Sequence, residues 1–575
     1  MVRKRKTQGK SFAQMEIGAI RKSGKARVKI ALVYPNRYHI GMSNLGFQTA
    51  YALFNAPPEV TCERVFLPES DDPPGIGVTT IESKSRISEY DIVAFSISFE
   101  NDYPNLLTIL ERGGFPLRSD QRTIPHPLVV AGGVACFLNP EPIAPFIDCF
   151  LIGEAEELIA PFLQCVSDAD LNTESGRETL LMHIAQKVPG AYVPKFYEAV
   201  YQADGTLGDF KPMMEVPSKI LRVFSKDLSS HPTCSSILTP EAALGHTFLI
   251  EVGRGCTHGC RFCAAGYVYR PPRFRTRRDF EKMVDRGAPI TDKIGIVGAA
   301  ISDHPDIEHL CLYAIERHLQ VGFSSLRADS LGSALLGVLK KNKTQTVTIA
   351  PDAGSERMRS VINKGMNESD ILNAATVLIE SGMLNLKLYF MVGLPTETIE
   401  DVEAIITLCK RIKHRFLKSS KTKGRIGTIT VSLSSFVPKP FTPFQWAAMD
   451  GVRSLKEKIR KVKESLNKIP NIRVHADIPR WAFLQGVFAL GDRRVADMLV
   501  AAHNNYGNWA KTLKESVINP SFYVHRDRPL NELLPWDFID HGIRKSFLAS
   551  EYRRALDGIP SPPCPIESCH ICGVC

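Results

Sequence analysis

Short apolar runs alternate with helix-like segments along two long stretches of this chain, and this alternation restricts its fold more than any other feature. In the first stretch the runs are VKIALVYP (28–35), DIVAFSIS (91–98), PLVVAGG (127–133) and CFLIGE (149–154). In the second stretch, six similar runs lie between HTFLIEVG at 246 and GTITVSLSSFV at 427–437. Such alternation is typical of parallel sheets covered by helices. We therefore predict an α/β protein with a doubly wound N-terminal sheet, followed by a partial or full barrel.

The 575 residues are enough for three or four domains. The expected segments are a basic arm (1–27), a sheet domain (28–190), a connecting region (191–240), a barrel (241–450), a mostly helical region (451–555) and a Cys-rich tail (556–575). One strand-like run, NIRVHAD, falls inside the helical region. No apolar run is long enough to cross a bilayer, so we expect no membrane insertion. The basic N-terminus is not followed by a signal-like apolar stretch, which makes the cytoplasm the expected compartment.

Positive charge is concentrated at the start of the chain. The formal net charge is +10, and residues 1–29 hold ten Lys or Arg against one acid, Glu16. The remainder is therefore close to neutral. This flexible arm is either a solvated tail or a segment that binds a polyanion.

Seven of the fourteen cysteines form two clusters, and the other seven are scattered singly. The first cluster, Cys256-Thr-His-Gly-Cys260-Arg-Phe-Cys263, directly follows a predicted strand. Three thiolates at this spacing fit a four-iron cluster and leave one iron open for a ligand. A structural zinc ion would need a fourth ligand, for which His258 is the only nearby candidate.

This cysteine loop resembles that of the radical S-adenosylmethionine (SAM) superfamily, with Phe262 at the aromatic position before the third cysteine. The resemblance implies that Cys256, Cys260 and Cys263 hold a [4Fe-4S] cluster and that SAM chelates its open iron. It also implies reductive cleavage of SAM to a 5′-deoxyadenosyl radical. The electron would come from a flavodoxin- or ferredoxin-type reductant.

The resemblance extends to positions at the ends of later barrel strands. Small residues there would face the SAM amino group, polar ones its ribose or carboxylate, and backbone groups its adenine. The implied SAM-binding residues are Gly298, Ala299, Arg327, Asp329, Glu356, Val392 and Gly393. The stretch around Glu356 is similar to the methylthiotransferase and Elp3-like branches. For each position the alternative role is a helix cap, a turn or a surface ion pair.

The N-terminal domain, with GGVACFLNPEPIAPFIDCFLIGEAEE, resembles the cobalamin-binding domain of the B12-dependent branch. Over the whole chain, the domain order resembles an uncharacterised radical SAM family with a C-terminal Cys cluster. Domains that ligate cobalt from below use DxHxxG, whereas this chain has NRYHIGM around His39, so ligation by His39 is not expected. The domain either binds cobalamin without a histidine or no longer binds it. With cobalamin the implied reaction is methylation of an unactivated carbon; without it, methylthiolation or another radical modification.

Five arginines and three aromatics lie together in residues 267–278, next to the cysteine loop. This run either binds phosphates and stacks on bases or pairs with carboxylates of the barrel or of SAM. Together with the methylthiotransferase-like stretches, it makes a modified RNA the leading substrate hypothesis.

The tail CPIESCHICGVC supplies four more thiolates, those of Cys564, Cys569, Cys572 and Cys575. Four ligands saturate a metal, so this site is expected to hold a second iron-sulfur cluster or a zinc ion, for structure or for electron relay. A non-catalytic iron-sulfur protein that binds RNA or transfers electrons is the alternative to a radical SAM enzyme. The sequence does not name the substrate, the atom modified or the oligomeric state.

Overall fold

The computed structural model describes residues 12–22, 26–69, 77–323, 327–342, 344–420, 427–566 and 569–575. The first eleven residues of the basic arm and part of the run SSLRAD (324–326) lie outside this range. Within the described residues, no helix combines the length and apolarity needed to cross a membrane.

The N-terminal domain is a six-stranded sheet with helices on both faces. Its strands are β1 (Val28–Tyr34), β2 (Val60–Phe66), β3 (Ile92–Ser96), β4 (Leu128–Gly132), β5 (Cys149–Leu151) and β6 (Ala191–Tyr192). Its helices are α1 (Tyr38–Gly41), α2 (Leu45–Phe54), α3 (Tyr103–Arg112), α4 (Val134–Leu138), α5 (Ala155–Ser167) and α6 (Glu174–Lys187). The order is β2-β1-β3-β4-β5-β6, parallel except for β6. The central strands are apolar throughout because helices bury both faces, and the predicted doubly wound domain is confirmed.

The order of this sheet fixes where a ligand can bind. Strand β1 lies between β2 and β3, so the chain runs to one side of β1 to form β2 and then to its other side to form β3. A crevice therefore opens between the carboxyl ends of β1 and β3. Residues 43–46 and 96–98 stand at that crevice.

Part of the expected basic arm packs against this domain instead of remaining free. The Glu16 carboxylate is fully buried and lies 2.7 Å from the Arg64 guanidinium. The Phe12 ring stacks on Tyr38 with centroids 4.1 Å apart. The physical reason is that Arg64, itself fully buried, requires an opposite charge. The arm's single acid therefore anchors residues 12–22.

The connecting region carries three short strands, β7 (Tyr197–Tyr201), β8 (Leu207–Pro212) and β9 (Ile220–Leu221). The barrel follows. Its strands are β10 (Phe248–Glu251), β11 (Gly253–Arg254), β12 (Arg273–Phe274), β13 (Lys293–Val297), β14 (Gln320–Phe323), β15 (Thr346–Asp352), β16 (Asn385–Val392), β17 (Ile429–Ser435) and β18 (Ile472–Ala476). Its helices are α7 (Arg277–Gly287), α8 (Ile307–Glu316), α9 (Ser333–Lys341), α10 (Glu356–Val361), α11 (Glu368–Glu380), α12 (Ile399–Ser420) and α13 (Val452–Leu466).

The barrel is partial, as predicted, and is built from two parallel sheets, β10-β13-β14 and β15-β16-β17-β18. Strand β18 contains the run NIRVHAD, and it pairs in parallel with β17. The barrel sheet therefore continues beyond residue 450, through a strand that the sequence placed in the helical region.

The C-terminal region is mostly helical, as expected. It contains α14 (Pro479–Leu490), α15 (Val495–Asn504), α16 (Trp509–Glu515), α17 (Pro520–Val524), β19 (Ile539–Asp540) and α18 (Lys545–Leu556). Strand β19 pairs with β9, so the region closes back onto the connection between the two α/β domains.

Candidate active site

The cysteine loop is closed at its base by a short ladder in which β11 pairs antiparallel with β12. Gly255 opens the loop with a φ of +81°, and a Cβ there would lie 2.6 Å from the Tyr269 carbonyl oxygen. Only glycine fits this conformation without strain. The ladder and the glycine turn bring all three loop cysteines to the carboxyl end of the barrel strands, where barrel enzymes carry their chemistry.

The three thiols lie close enough to interact electrostatically; Cys260 is buried, and Cys256 and Cys263 are half-buried. Burial raises the pKa of Cys260 to about 12 and that of Cys256 to about 11, and the neighbouring thiols contribute in the same direction. Ligation of a metal would therefore displace protons from these groups. In the described residues, no three Cys, His, Asp or Glu side chains stand close enough together to hold one metal ion. Each cysteine of a four-iron cluster binds a different iron, so its sulfurs stand further apart than ligands around one ion.

His258 is engaged elsewhere. Its Nε2 lies 2.7 Å from the Asp303 carboxylate, which also accepts a hydrogen bond from Thr257 Oγ1 at 3.0 Å. The loop thus lacks the fourth ligand that zinc would need, and the donor set fits an iron-sulfur cluster better.

Two cations stand beside the loop. The Lys364 ammonium, 8% exposed, is 2.5 Å from the Asp352 carboxylate and close enough to Cys260 to interact with its charge. Arg327 pairs with Asp329 at 2.7 Å and donates to the Lys364 carbonyl oxygen at 3.2 Å. These cations offset the negative charge that thiolates and a cluster would bring.

The remaining predicted SAM residues lie in three different settings. Gly298 and Ala299 follow β13 and line a cavity shared with the loop. Val392 ends β16, and the Gly393 N–H donates to Glu397 Oε2 at 2.7 Å, which forms a closed turn. Glu356 does not face the loop: its side chain is 65% exposed and accepts a hydrogen bond from the Glu368 backbone at 3.0 Å. The Glu356 side chain thus contacts the first residue of α11, which matches the alternative role of a helix cap rather than SAM binding.

A cavity of about 630 Å³ lies between the sheet domain and the barrel. Ser43, Asn44, Ser96 and Gly133 line it from the sheet side, while Gly255 and Ala265 of the cysteine loop line it from the other. His39 is exposed on α1 and does not line this cavity. The cavity therefore joins the ligand crevice of the sheet directly to the expected radical source.

Carboxylates of the GEAE segment fix the two walls of the cavity to each other. Glu154 Oε2 accepts a hydrogen bond from Arg254 at 2.7 Å, and its Oε1 accepts one from Arg273 at 2.6 Å. Glu156 also pairs with Arg254. Burial would raise the pKa of both carboxyl groups, but Arg273 and Arg254 lower the pKa of Glu154, and Arg254, with Arg275, lowers that of Glu156. Both carboxylates therefore remain charged at neutral pH.

Three of the five arginines in the arginine-rich run pair with carboxylates, which was one of the two predicted alternatives. Besides the Glu154–Arg273 pair, Arg275 lies 2.9 Å from Glu251 and is 3% exposed. Arg277 pairs with Asp306 at the surface. The partners come from the sheet domain and from other barrel elements, so they were invisible in the local sequence. Arg278 is exposed, and the alternative role of the run, phosphate and base binding, stays a prediction.

Comparisons with known proteins agree with this geometry. The family described as "Radical SAM proteins, N-terminal" matches residues 46–194, and the "Radical SAM superfamily" matches residues 250–409. The protein MJ0966 of Methanocaldococcus jannaschii, described as uncharacterized, is 31% identical over 481 residues, 83% of this chain and 91% of that protein. A tRNA-2-methylthio-N(6)-dimethylallyladenosine synthase of Chloroherpeton thalassium is 22% identical over 195 residues, 31% of this chain and 42% of that protein.

Among solved structures, the radical SAM methyltransferase TsrM of Kitasatospora setae, with cobalamin and a [4Fe-4S] cluster bound, is 14% identical. The match covers 74% of this chain and 80% of that one, with a TM-score of 0.47.

Proposed function

The chain belongs to the radical SAM superfamily, and from that premise we propose that it modifies a substrate held in the cavity between its two α/β domains. The observation that carries the proposal is that this one cavity is lined by both the cysteine loop and the ligand crevice of the sheet. A reactive group produced at the loop would reach a substrate there without crossing bulk water.

In this proposal Cys256, Cys260 and Cys263 bind a [4Fe-4S] cluster with an open iron for SAM. When bound, the cluster supplies the electron that cleaves a carbon–sulfur bond of SAM and yields an adenosyl radical. Gly298 and Ala299 leave room for the amino group of SAM beside the loop, and Arg327 and Lys364 balance the local charge. The electron donor is a protein of the flavodoxin or ferredoxin class.

We propose cobalamin as a further cofactor, on the sheet side of the cavity. Small side chains and backbone at Ser96, Gly132 and Gly133 leave a flat floor at the carboxyl ends of β3 and β4. At Gly133, with a φ of +103°, a Cβ would lie 2.4 Å from the Ile97 carbonyl oxygen. The described lining contains no histidine, so the residues fit a cobalamin held without a protein ligand to cobalt. When bound, cobalamin would supply a methyl group for transfer to a substrate carbon.

A radical modification without cobalamin, such as methylthiolation, is the second candidate. The similarity to a tRNA methylthio synthase favours it, although that match spans 31% of this chain. Because Arg273, Arg275 and Arg277 already pair with carboxylates, an RNA substrate would enter the cavity as a single nucleotide rather than lie along that run. A small metabolite would occupy the same space.

The test is anaerobic reconstitution with iron and sulfide, reduction with dithionite, and measurement of 5′-deoxyadenosine. The wild type should form it, and the variant with Cys256, Cys260 and Cys263 all changed to Ala should not; Cys311→Ala, which removes a buried thiol of α8, is the matched control. Equal yields from the wild type and the triple variant would leave only a metal-bearing, non-catalytic protein.

The visible spectrum of protein grown with cobalamin then separates the two reaction types. Colourless, folded protein would exclude methyl transfer through cobalamin. Nucleosides and small metabolites from deletion and parent cells, compared by mass spectrometry, would identify the product.

A further inference from the structure

The C-terminal tail is tied to the cysteine loop by its backbone. The Cys564 N–H donates a hydrogen bond to the Thr257 carbonyl oxygen at 2.7 Å, one residue after Cys256. The Ser561 N–H donates to Asn363 Oδ1 at 2.8 Å, and Asn363 Nδ2 donates in turn to the Gly259 carbonyl oxygen at 3.1 Å. The tail therefore contacts the loop between its first two cysteines.

Arg261, inside the cysteine motif itself, provides a second tie. Its side chain is fully buried and donates to the Ile559 carbonyl oxygen at 2.7 Å and to Ser561 Oγ at 3.0 Å. It also lies 3.1 Å from Glu551 of α18, whose carboxylate accepts a hydrogen bond from Ser561 Oγ at 2.8 Å. A buried charge with this many partners holds the tail in one position.

The four tail thiols form one group. Cys569 and Cys572 are buried at 6% and 1% exposure, and the Cys575 thiol interacts electrostatically with those of Cys564, Cys569 and Cys572. The tail backbone is held from the other side by the Arg544 N–H, which donates to the Cys572 carbonyl oxygen at 2.8 Å.

A buried cation is aimed at this group. Arg270, 5% exposed, lies in the segment that follows the cysteine loop, and its Nε donates to the Gly266 carbonyl oxygen at 2.7 Å. Its guanidinium also lies close enough to the Cys572 and Cys564 thiols to interact with them electrostatically. A buried guanidinium facing neutral thiols is costly, whereas one facing a thiolate-bound cluster is stabilised.

We propose that Cys564, Cys569, Cys572 and Cys575 bind a second iron-sulfur cluster that relays single electrons to the cluster of the cysteine loop. This inference rests on the proposed function. Four thiolates leave no open iron, so the site suits electron transfer rather than substrate binding. In each relay step a flavodoxin- or ferredoxin-type donor loses one electron and the tail cluster gains it. The tail cluster is reoxidised when the loop cluster is reduced, and no bond is made or broken at the tail.

Iron content tests the site independently of SAM cleavage. In the full chain, the loop variant with Cys256, Cys260 and Cys263 changed to Ala should retain about half of the wild-type iron and sulfide, with an EPR signal that SAM does not alter. Zinc in place of that iron, or loss of all iron, would overturn the proposal. Because this measurement needs no turnover, it remains decisive even if the proposed reaction is wrong.

Electron transfer tests the relay. The double variant Cys569→Ala/Cys572→Ala should keep 5′-deoxyadenosine formation with dithionite but lose at least tenfold with a flavodoxin donor. Cys409→Ala, which removes a buried thiol of α12, should match the wild type with both donors. An unchanged rate with flavodoxin would refute the relay.

Should the double variant fold poorly, Arg270→Gln provides the second measurement. Loss of the cation should lower the reduction potential of the SAM-insensitive cluster and leave the other potential unchanged. Unaltered potentials would refute the assigned position of Arg270 beside the tail cluster.

Discussion

Replacing Glu154 by Gln should loosen the contact that joins the two walls of the cavity. The Glu154 carboxylate accepts hydrogen bonds from Arg254, from both terminal nitrogens of Arg273 and, at 3.1 Å, from the Ser225 N–H. Glutamine keeps the shape and one acceptor oxygen, but it removes the charge. Arg254 would retain Glu156 and Glu251 as partners, whereas Arg273 would lose its paired carboxylate.

The expected magnitude follows from burial. Breaking a buried ion pair costs about 3–5 kcal/mol, because the remaining charge loses its partner. Glu154 and Arg273 side chains are 5% and 9% exposed, and Arg254 keeps two partners, so we expect the lower limit, about 3 kcal/mol. At 1.4 kcal/mol per factor of ten, the equilibrium constant for separation of the two walls should rise about 150-fold.

Hydrogen exchange measures this opening locally. The Glu154 N–H donates to the Val223 carbonyl oxygen, and the Val223 N–H donates to that of Ile152, so these amides report on the contact. At pH 7 their protection should fall about 150-fold in Glu154→Gln, against at most about twofold in the control Glu157→Gln, in the first turn of α5, which Glu154 precedes.

The dependence on pH has a defined sign. Burial would raise the pKa of Glu154, but the arginines lower it below its ordinary value of 4.5, so the stabilisation is complete above that value. It is lost as the pH falls through the lowered pKa of the folded state. Unchanged protection in Glu154→Gln at pH 7 would refute the argument that this carboxylate joins the two walls.

Three further changes give separate checks. Gly133→Ala should cost about 1–3 kcal/mol in urea denaturation and weaken binding of the proposed cobalamin. The control Gly114→Ala, also at positive φ but with open space around its Cβ, should cost about 1 kcal/mol and leave any binding unchanged. Burial raises the pKa of Asp102 to about 6 from an ordinary 3.8. Its charged form is therefore less stable in the folded state, and the protein loses stability as the pH rises through that interval. Asp102→Asn should stabilise the fold by up to about 3 kcal/mol at pH 7 and not at all below pH 4. Lys364→Met removes the cation beside Cys260 and should lower the potential of the SAM-sensitive cluster in an EPR-monitored titration, and an unchanged potential would contradict that assignment.

Apolar runs predicted most of the fold, including a strand at β18, and the unpredicted strand β2 shows where such runs stop being informative. Strand β2 reads VTCERVF, with Glu63 and Arg64 in its centre. Its pattern does not predict a buried strand, because Arg64 is charged and is stabilised in the interior by ion pairs with Glu16 and Glu82. In β18, charged residues alternate with apolar ones, which fits an edge strand and not a central strand of a parallel sheet.

The candidate site also contains features that the sequence predicts and features that it does not. The spacing of the loop cysteines is local, so it could be read from the sequence. The arginine run could not be assigned, because the Glu154 partner of Arg273 lies 119 residues away. The ion pair between Lys364 and Asp352 was not predicted either. Asp352 adopts a φ of +62°, a backbone conformation that the sequence pattern does not reveal.

The tie between Arg261 and the Ile559 carbonyl has a consequence for how the protein is made. These residues are separated by 298 positions, and a ribosome adds about 5–20 residues per second. The cysteine motif therefore waits about 15–60 s after its own synthesis before its last backbone partner exists. During that interval Arg261 can donate to the Ser360 and Val361 carbonyl oxygens but not to Ile559, so iron delivered co-translationally would meet an unfinished loop. Cluster insertion should accordingly follow synthesis of the tail, and maturation factors should act on chains that already include it.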